Sequence, residues 1–166
     1  MRRGLFKVAR DRRGAVLVEF ALVSPVFFLL TFASIDFGMI LLTQSSINFA
    51  IRDASRLIMT GQVQTGGGQS VFTSRVCSDV GSLIPCSSLQ YNVQSGSTFS
   101  GFNATVVANS SGNMSTTGFS PGGPGSDVLV QIGYPYSCII PFACNYISNN
   151  GKFLLVSTVA FQNENY

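Results

Sequence analysis

The pattern of apolar and polar residues divides the chain into a long helical part and a shorter-range, strand-like part. From Ala15 to Thr43 nearly every residue is apolar; the interruptions are Glu19, Ser24, Pro25, Thr31, Ser34, Asp36 and a glycine. Ile40, Ile47, Ile51, Ala54 and Ile58 then recur at spacings of seven, four, three and four, which is one stripe of a helix. Asn48, Arg52 and Arg56 mark another face at spacings of four. The two patterns join without a break and predict one helix from about Ala15 to Thr60, roughly 69 Å long at 1.5 Å per residue. Gly61 is the expected stop. Pro25 removes one backbone hydrogen bond and predicts a kink, which a membrane helix tolerates when neighbours satisfy the freed carbonyl.

After Gly61 the periods shorten. Gln62 to Gln69 reads as a flexible linker, and Ser70 as the cap of a short helix whose face carries Phe72, Val76, Val80 and Leu83. Leu89 to Gln94 and Ala104 to Ala108 alternate like strands. Asn109 to Ser126 holds five Gly, five Ser and two Pro, the composition of a long exposed loop. Asp127 to Tyr136 is the clearest strand, with Val128, Val130, Ile132 and Tyr134 on one face, and Lys152 to Gln162 is a last strand rich in β-branched residues. The expected fold is α+β: a long N-terminal transmembrane helix extending into a small domain with a short helix and an antiparallel sheet of about four strands. Residues 1–14 form a basic leader, 15–60 the helix and 61–166 the outer domain.

Charge gives this architecture a direction. Arg2, Arg3, Lys7, Arg10, Arg12 and Arg13 all precede Gly14, beside the single acid Asp11, so the leader carries net +5 and the remainder net −2. Basic residues ahead of an apolar run hold the N-terminus in the cytoplasm and place everything after Asp36 outside. Glu19 and Asp36 lie roughly 26 Å apart along a helix, so they fall near the two edges of a bilayer about 30 Å thick. A carboxylate within such a run costs about 2.5–3.5 kcal/mol at mid-membrane, so Glu19 asks for a function. A cleaved secretory signal has a shorter apolar core and a small-residue site after it. A plain anchor explains the length but leaves Glu19 unexplained.

Composition removes several chemistries. Histidine is absent, which excludes Ser-His-Asp, Cys-His and zinc–histidine sites. The part after Gly14 is not basic and offers nucleic acid no electrostatic footprint. Cys77, Cys86, Cys138 and Cys144 all follow the apolar run and read as disulfides of an oxidising compartment. Four cysteines permit three connectivities; the local one, Cys77 with Cys86 and Cys138 with Cys144, is preferred. Their spacings do not suit a zinc knuckle, and no metal or cofactor is expected. Asp79, Asp127 and Glu164 are the only acids past residue 60, and they read as cap, turn or surface groups with no catalytic role. Asn103-Ala-Thr, Asn109-Ser-Ser and Asn113-Met-Ser match a glycosylation pattern by chance in a Ser-rich region.

The stretch Ala15-Val16-Leu17-Val18-Glu19-Phe20-Ala21-Leu22-Val23-Ser24-Pro25 resembles the start of the TadE-like family, minor pilins or pseudopilins of the tight-adherence (Tad/Flp) type IV pilus. The similarity continues through Ile35-Asp36-Phe37-Gly38, Gln44 and Ala50-Ile51-Arg52-Asp53-Ala54-Ser55-Arg56, and returns in the closing Val156 to Tyr166. Asp36 stands where the family more often has Glu, and Asn165 where it often has Pro. TadF-like proteins share the N-terminal pattern. The resemblance implies cleavage between Gly14 and Ala15 by a prepilin peptidase whose active site admits almost no side chain before the scissile bond. It implies assembly roles for Glu19, Phe20 and Pro25, with Glu19 pairing the freed amine of Ala15 on a neighbouring subunit. The implied partners are that peptidase, other pilins and pseudopilins, the inner-membrane assembly platform and the lipid bilayer.

Two readings of function follow. One is a structural minor pilin or pseudopilin without catalytic activity. The other is an uncleaved, membrane-anchored periplasmic binding or scaffold domain.

Overall fold

The computed structural model describes residues 12–138 and 151–166. A single helix, α1 (Arg12–Met59), runs through Pro25 and forms the axis of the protein. Two shorter helices follow, α2 (Gln62–Gly66) and α3 (Gln69–Val80), then four strands: β1 (Gln90–Gly96), β2 (Gly118–Phe119), β3 (Asp127–Ser137) and β4 (Lys152–Gln162). The strands form one sheet in the order β2-β1-β3-β4.

The helical stripe read from the sequence becomes the core. Ile47, Ala50, Ile51, Ala54 and Ile58 are fully buried, and they pack with Phe72, Val76 and Val80 of α3 and with Val128, Val130 and Ile132 of β3. Each large aliphatic residue buried there stabilises the domain by about 1.5–3 kcal/mol. Ile40, nearer the N-terminus, is only half-buried, because the domain begins to cover α1 just above it. Arg52 and Arg56 face solvent, whereas Asn48 faces the sheet and accepts a hydrogen bond from Ser157 Oγ at 2.6 Å.

Several elements depart from expectation. The stretch Gln62–Gln69 is no flexible linker: Val63 is fully buried, so the chain folds into α2 around it. Gly67 (φ 125°) and Gly68 (φ 68°) then turn the backbone into α3 through conformations open to glycine. Ser70 is not the cap of α3; Gly68 holds that position, and Ser70 Oγ donates to Gly67 O. Leu83 leaves the helical face because Gly81 ends the run at φ 62°, and Ile84 is buried instead.

The sheet is mixed. β1–β3 and β3–β4 are antiparallel, with β3 and β4 in unbroken register from Asp127↔Gln162 to Ser137↔Lys152. β2 lies parallel to β1 at Asn92↔Gly118 and Val93↔Phe119. The connection from Ser97 to Thr117 is long enough to carry the chain back before β2 begins, which is what parallel pairing requires. The expected strand Ala104–Ala108 contributes only an isolated bridge, Ala108↔Met114. That segment covers the outer face of β3: Gln131 Nε2 donates to Ala104 O at 3.0 Å, and Met114 packs over Gly133. This is why β3 is buried on both faces, including Leu129 and Gln131. The Gly/Ser loop is therefore anchored at Gly112, Met114 and β2 rather than wholly free in solvent.

The far end of α1 is sealed by the C-terminus. Glu164 N–H donates to Met59 O at 2.9 Å, satisfying one of the helix's last carbonyls. The Tyr166 ring lies where a side chain on Gly61 would stand, so Gly61 (φ 79°) both permits the turn and leaves room for the ring.

Cys77 and Cys86 form a disulfide closing a nine-residue separation. Cys138 is also disulfide-bonded; its expected partner Cys144 lies outside the described residues. A loop of that size, closed in the unfolded chain, corresponds to about 2–3 kcal/mol of stabilisation. Cys86→Ser in the full-length protein should therefore lower the unfolding free energy of the domain by about 2–3 kcal/mol, read as a lower urea midpoint. An unchanged midpoint would show that the link restrains nothing the fold does not already restrain.

Candidate functional site

The membrane segment and its junction with the domain carry the features that ask for a function. From Gly14 to Ile35 the side chains of α1 are almost wholly uncovered; Phe20 is 66% exposed and Leu22 72%. These 22 residues span about 33 Å, close to the hydrocarbon thickness of a bilayer. The most apolar 18 residues have a mean hydropathy of 2.2, and none of them is buried. An apolar surface of this extent does not persist in water, and this one fits a single-pass membrane anchor.

Polar groups in this segment are satisfied by the helix itself. Thr31 Oγ1 donates to Phe27 O at 2.8 Å, and Ser34 Oγ to Leu30 O at 2.9 Å. In a medium without water such back-bonding removes the desolvation penalty of a hydroxyl. Glu19 has no equivalent. Its side chain is exposed, and among the described residues nothing donates to it or pairs with it. It lies one helical turn from Ala15, about 6 Å along the axis. Gly14, Ala15, Phe20 and Pro25 share this uncovered part of α1, and the structure brings none of them against the domain.

Asp36 behaves differently. It is 6% exposed, and Tyr136 Oη donates to its Oδ1 at 2.8 Å. Tyr136 stands near the end of β3, so this bond ties the lower edge of the sheet to α1 where the helix leaves the uncovered segment. Burial, and then the bond to Asp36, push the Tyr136 phenol up to about 12 from its ordinary 10.0. Tyr134 packs edge-on beside it at 6.5 Å between ring centres. The sequence marks Asp36 as a membrane-edge acid and the tyrosines as packing or edge residues; it does not reveal their pairing. Only a 100-residue separation in the chain joins them, and no local period reports that.

A second charged cluster pins α3 to α1. Arg75 Nε binds Asp53 and also reaches Asp79 Oδ2 at 3.4 Å. The hydrogen bond to Arg75 holds the Asp53 carboxyl below its ordinary range, while burial pushes Asp79 up. Arg75 is half exposed, so the pair adds little to stability. Neither this cluster nor the polar cavity of about 50 Å³ between Asn92, Gln131 and Met114 has the volume of a substrate site. Among the described residues no group of three or more acids, cysteines or histidines is placed to hold a metal.

Residues 14–56 match the family model for TadE-like protein. The match thus spans the uncovered segment, Glu19, Asp36 and most of the helical core stripe, and it stops before the end of α1. It agrees with the resemblance carried by the N-terminal motif. No curated protein and no solved structure matches the chain.

The Asp36–Tyr136 bond makes a prediction. Tyr136→Phe removes one charge-assisted hydrogen bond from a buried carboxylate and should cost about 1.5–3 kcal/mol. A phenol whose pKa is raised on folding contributes stability that is complete below about pH 10 and is lost as pH rises through about 12. Tyr136→Phe should therefore also flatten the fall in stability across that window. Tyr91, raised to about 12 by burial alone, would retain its own share. Urea titrations of both proteins in detergent at pH 7 and pH 11 read both effects. Equal midpoints at pH 7 would mean the bond does not hold the domain to the helix.

Proposed function

We propose that the protein is a minor pilin or pseudopilin, a structural or assembly component of a Tad-type pilus. The observation that carries this is the coincidence of the TadE-like match with an uncovered apolar segment, Gly14 to Ile35, whose one charged residue, Glu19, has no partner among the described residues. In this reading the chain sits once in the inner membrane. The leader's positive charges hold the N-terminus in the cytoplasm, and the domain stands in the periplasm. A prepilin peptidase cuts after Gly14, removing the +5 leader and freeing the amine of Ala15. Glu19 of one subunit then meets the Ala15 amine of another. Each group alone is costly in lipid, and the pair neutralises both, so desolvation itself favours the assembled state. Ala21 and Ser24 let helices approach closely, and Phe20 and Pro25 lie on the same uncovered surface. The role is structural, with no catalytic group of the chain's own.

The N-terminal residue of the protein taken from native membranes tests the processing step. Ala15 is the expected result. Met1 retained in cells with an active peptidase would replace this reading with an uncleaved, anchored scaffold domain. Glu19→Ala tests the pairing: it should abolish or sharply reduce fibres on the cell surface while leaving protein level and membrane insertion unchanged. Normal fibres from that variant would remove the pairing role.

A further inference from the structure

The sheet ends in two open edges. β4 pairs with β3 on one side, and among the described residues no strand pairs with its other side. It is eleven residues long, contains no proline, and keeps continuous register with β3, so no bulge twists its edge away. Its one charge is Lys152 at its first position; from Phe153 to Gln162 it carries none. Gln44 Nε2 donates to Val156 O and so occupies part of the lower half; Thr158, Ala160 and Gln162 in the upper half are exposed. Soluble proteins protect such edges with lysine, proline, bulges or a covering element, and an edge lacking them is a template for another strand. The opposite edge, β2, also has no further strand beside it among the described residues. It is two residues long, its flanks are exposed, and no charged residue occurs between Asp79 and Asp127. A groove of about 710 Å³, lined among others by Ser95, Gly96, Phe102 and Phe119, opens beside it.

The direction of these edges limits what can fill them. β4 starts near Tyr136 and Asp36, passes Gln44 and Asn48, and ends where Glu164 reaches Met59, so it runs along α1 away from the membrane. β2 is parallel to β1, and β1 and β4 are both antiparallel to β3, so β2 runs the same way. Copies inserted in one bilayer all point the same way. Antiparallel pairing of β4 with a second β4 would reverse one helix and is excluded by the membrane. Parallel pairing of β4 with the β2 edge of a neighbour keeps every helix upright and every helix-bearing face on the same side.

We propose that β4 of one copy pairs in parallel with the β2 edge of a second copy, extending the sheet from subunit to subunit outside the membrane. The inference rests on the membrane-anchored orientation of the proposed function. The contact is head-to-tail, so it propagates rather than closing as a symmetric dimer. Recognition comes from backbone groups, which suits a surface with almost no charge.

Two differently tagged full-length chains test this, one carrying Thr158→Cys and the other Thr117→Cys, co-expressed and treated in intact membranes with a short bismaleimide. The described native cysteines are disulfide-bonded and do not react. A cross-linked product containing both tags is expected, with no self-linked product from Thr158→Cys alone. Absence of the mixed product, a self-linked Thr158→Cys product, or linkage of Thr158→Cys to another protein would each overturn the proposal. The N-terminal residue and the membrane fraction are read from the same samples. An embedded, processed chain without the mixed product overturns the edge pairing alone. A chain outside the membrane overturns both readings.

Discussion

One continuous helix must meet two solvents, and the rest of the structure follows from how it does so. Its first 22 described residues past Arg13 have no cover of their own and need lipid. Its last two turns and more are wrapped so completely that Ile47, Ile51 and Ile58 reach no water. No flexible joint lies between the two regimes, because the residues that enter the core belong to the same helix as those that enter the bilayer. Any tilt or rotation of the membrane part is therefore carried into the domain. The domain is small, and its core is organised on α1 rather than on the sheet alone. Without that helix, β3 would lose the partners of Val128, Val130 and Ile132.

The two acids of the membrane segment show how this coupling is controlled. Asp36 is satisfied within its own chain, by a tyrosine at the end of β3. The bond fixes the height at which the domain meets the bilayer, since a buried carboxylate bonded to Tyr136 does not move outward without losing its donor. Glu19 has no partner among the described residues. In the proposed assembly, an acid paired internally sets the geometry of one subunit, and an acid without such a partner sets a requirement on the neighbour. The chemistry is the same, and the difference lies in which element reaches the carboxylate.

The long-period features were legible in the sequence and the long-range ones were not. The helix, its buried stripe and its stop at Gly61 follow from 3.6-residue periodicity, which is a local signal. β3 also stood out by its alternation, with Val128, Val130 and Ile132 on one face, and β4 by its share of β-branched residues. The errors share one cause. Val63, a single apolar residue in a Gln/Gly segment, is too isolated to give a period, yet burying it orders α2. Val107 remains exposed and Ala104 serves only as an acceptor, so alternation at 104–108 marks a cover for β3 and no strand. Parallel pairing of β2 depends on where the connection from Ser97 to Thr117 returns, and composition does not encode that. Tyr136 and Asp36 meet across 100 residues, so their bond became visible only in the fold.

The scarcity of charge in the domain bears on how it recognises anything. Between Asp79 and Asp127 there is no Asp, Glu, Lys or Arg among forty-seven residues. Long-range steering by complementary fields is therefore weak, and encounter in solution would be slow. Confinement to a membrane changes that balance. Subunits held at one height and in one orientation have already lost most of the freedom that a docking event must remove, so a modest backbone contact is enough. A domain of this composition suits assembly in two dimensions, where the helix supplies orientation and the sheet edge needs only to be open.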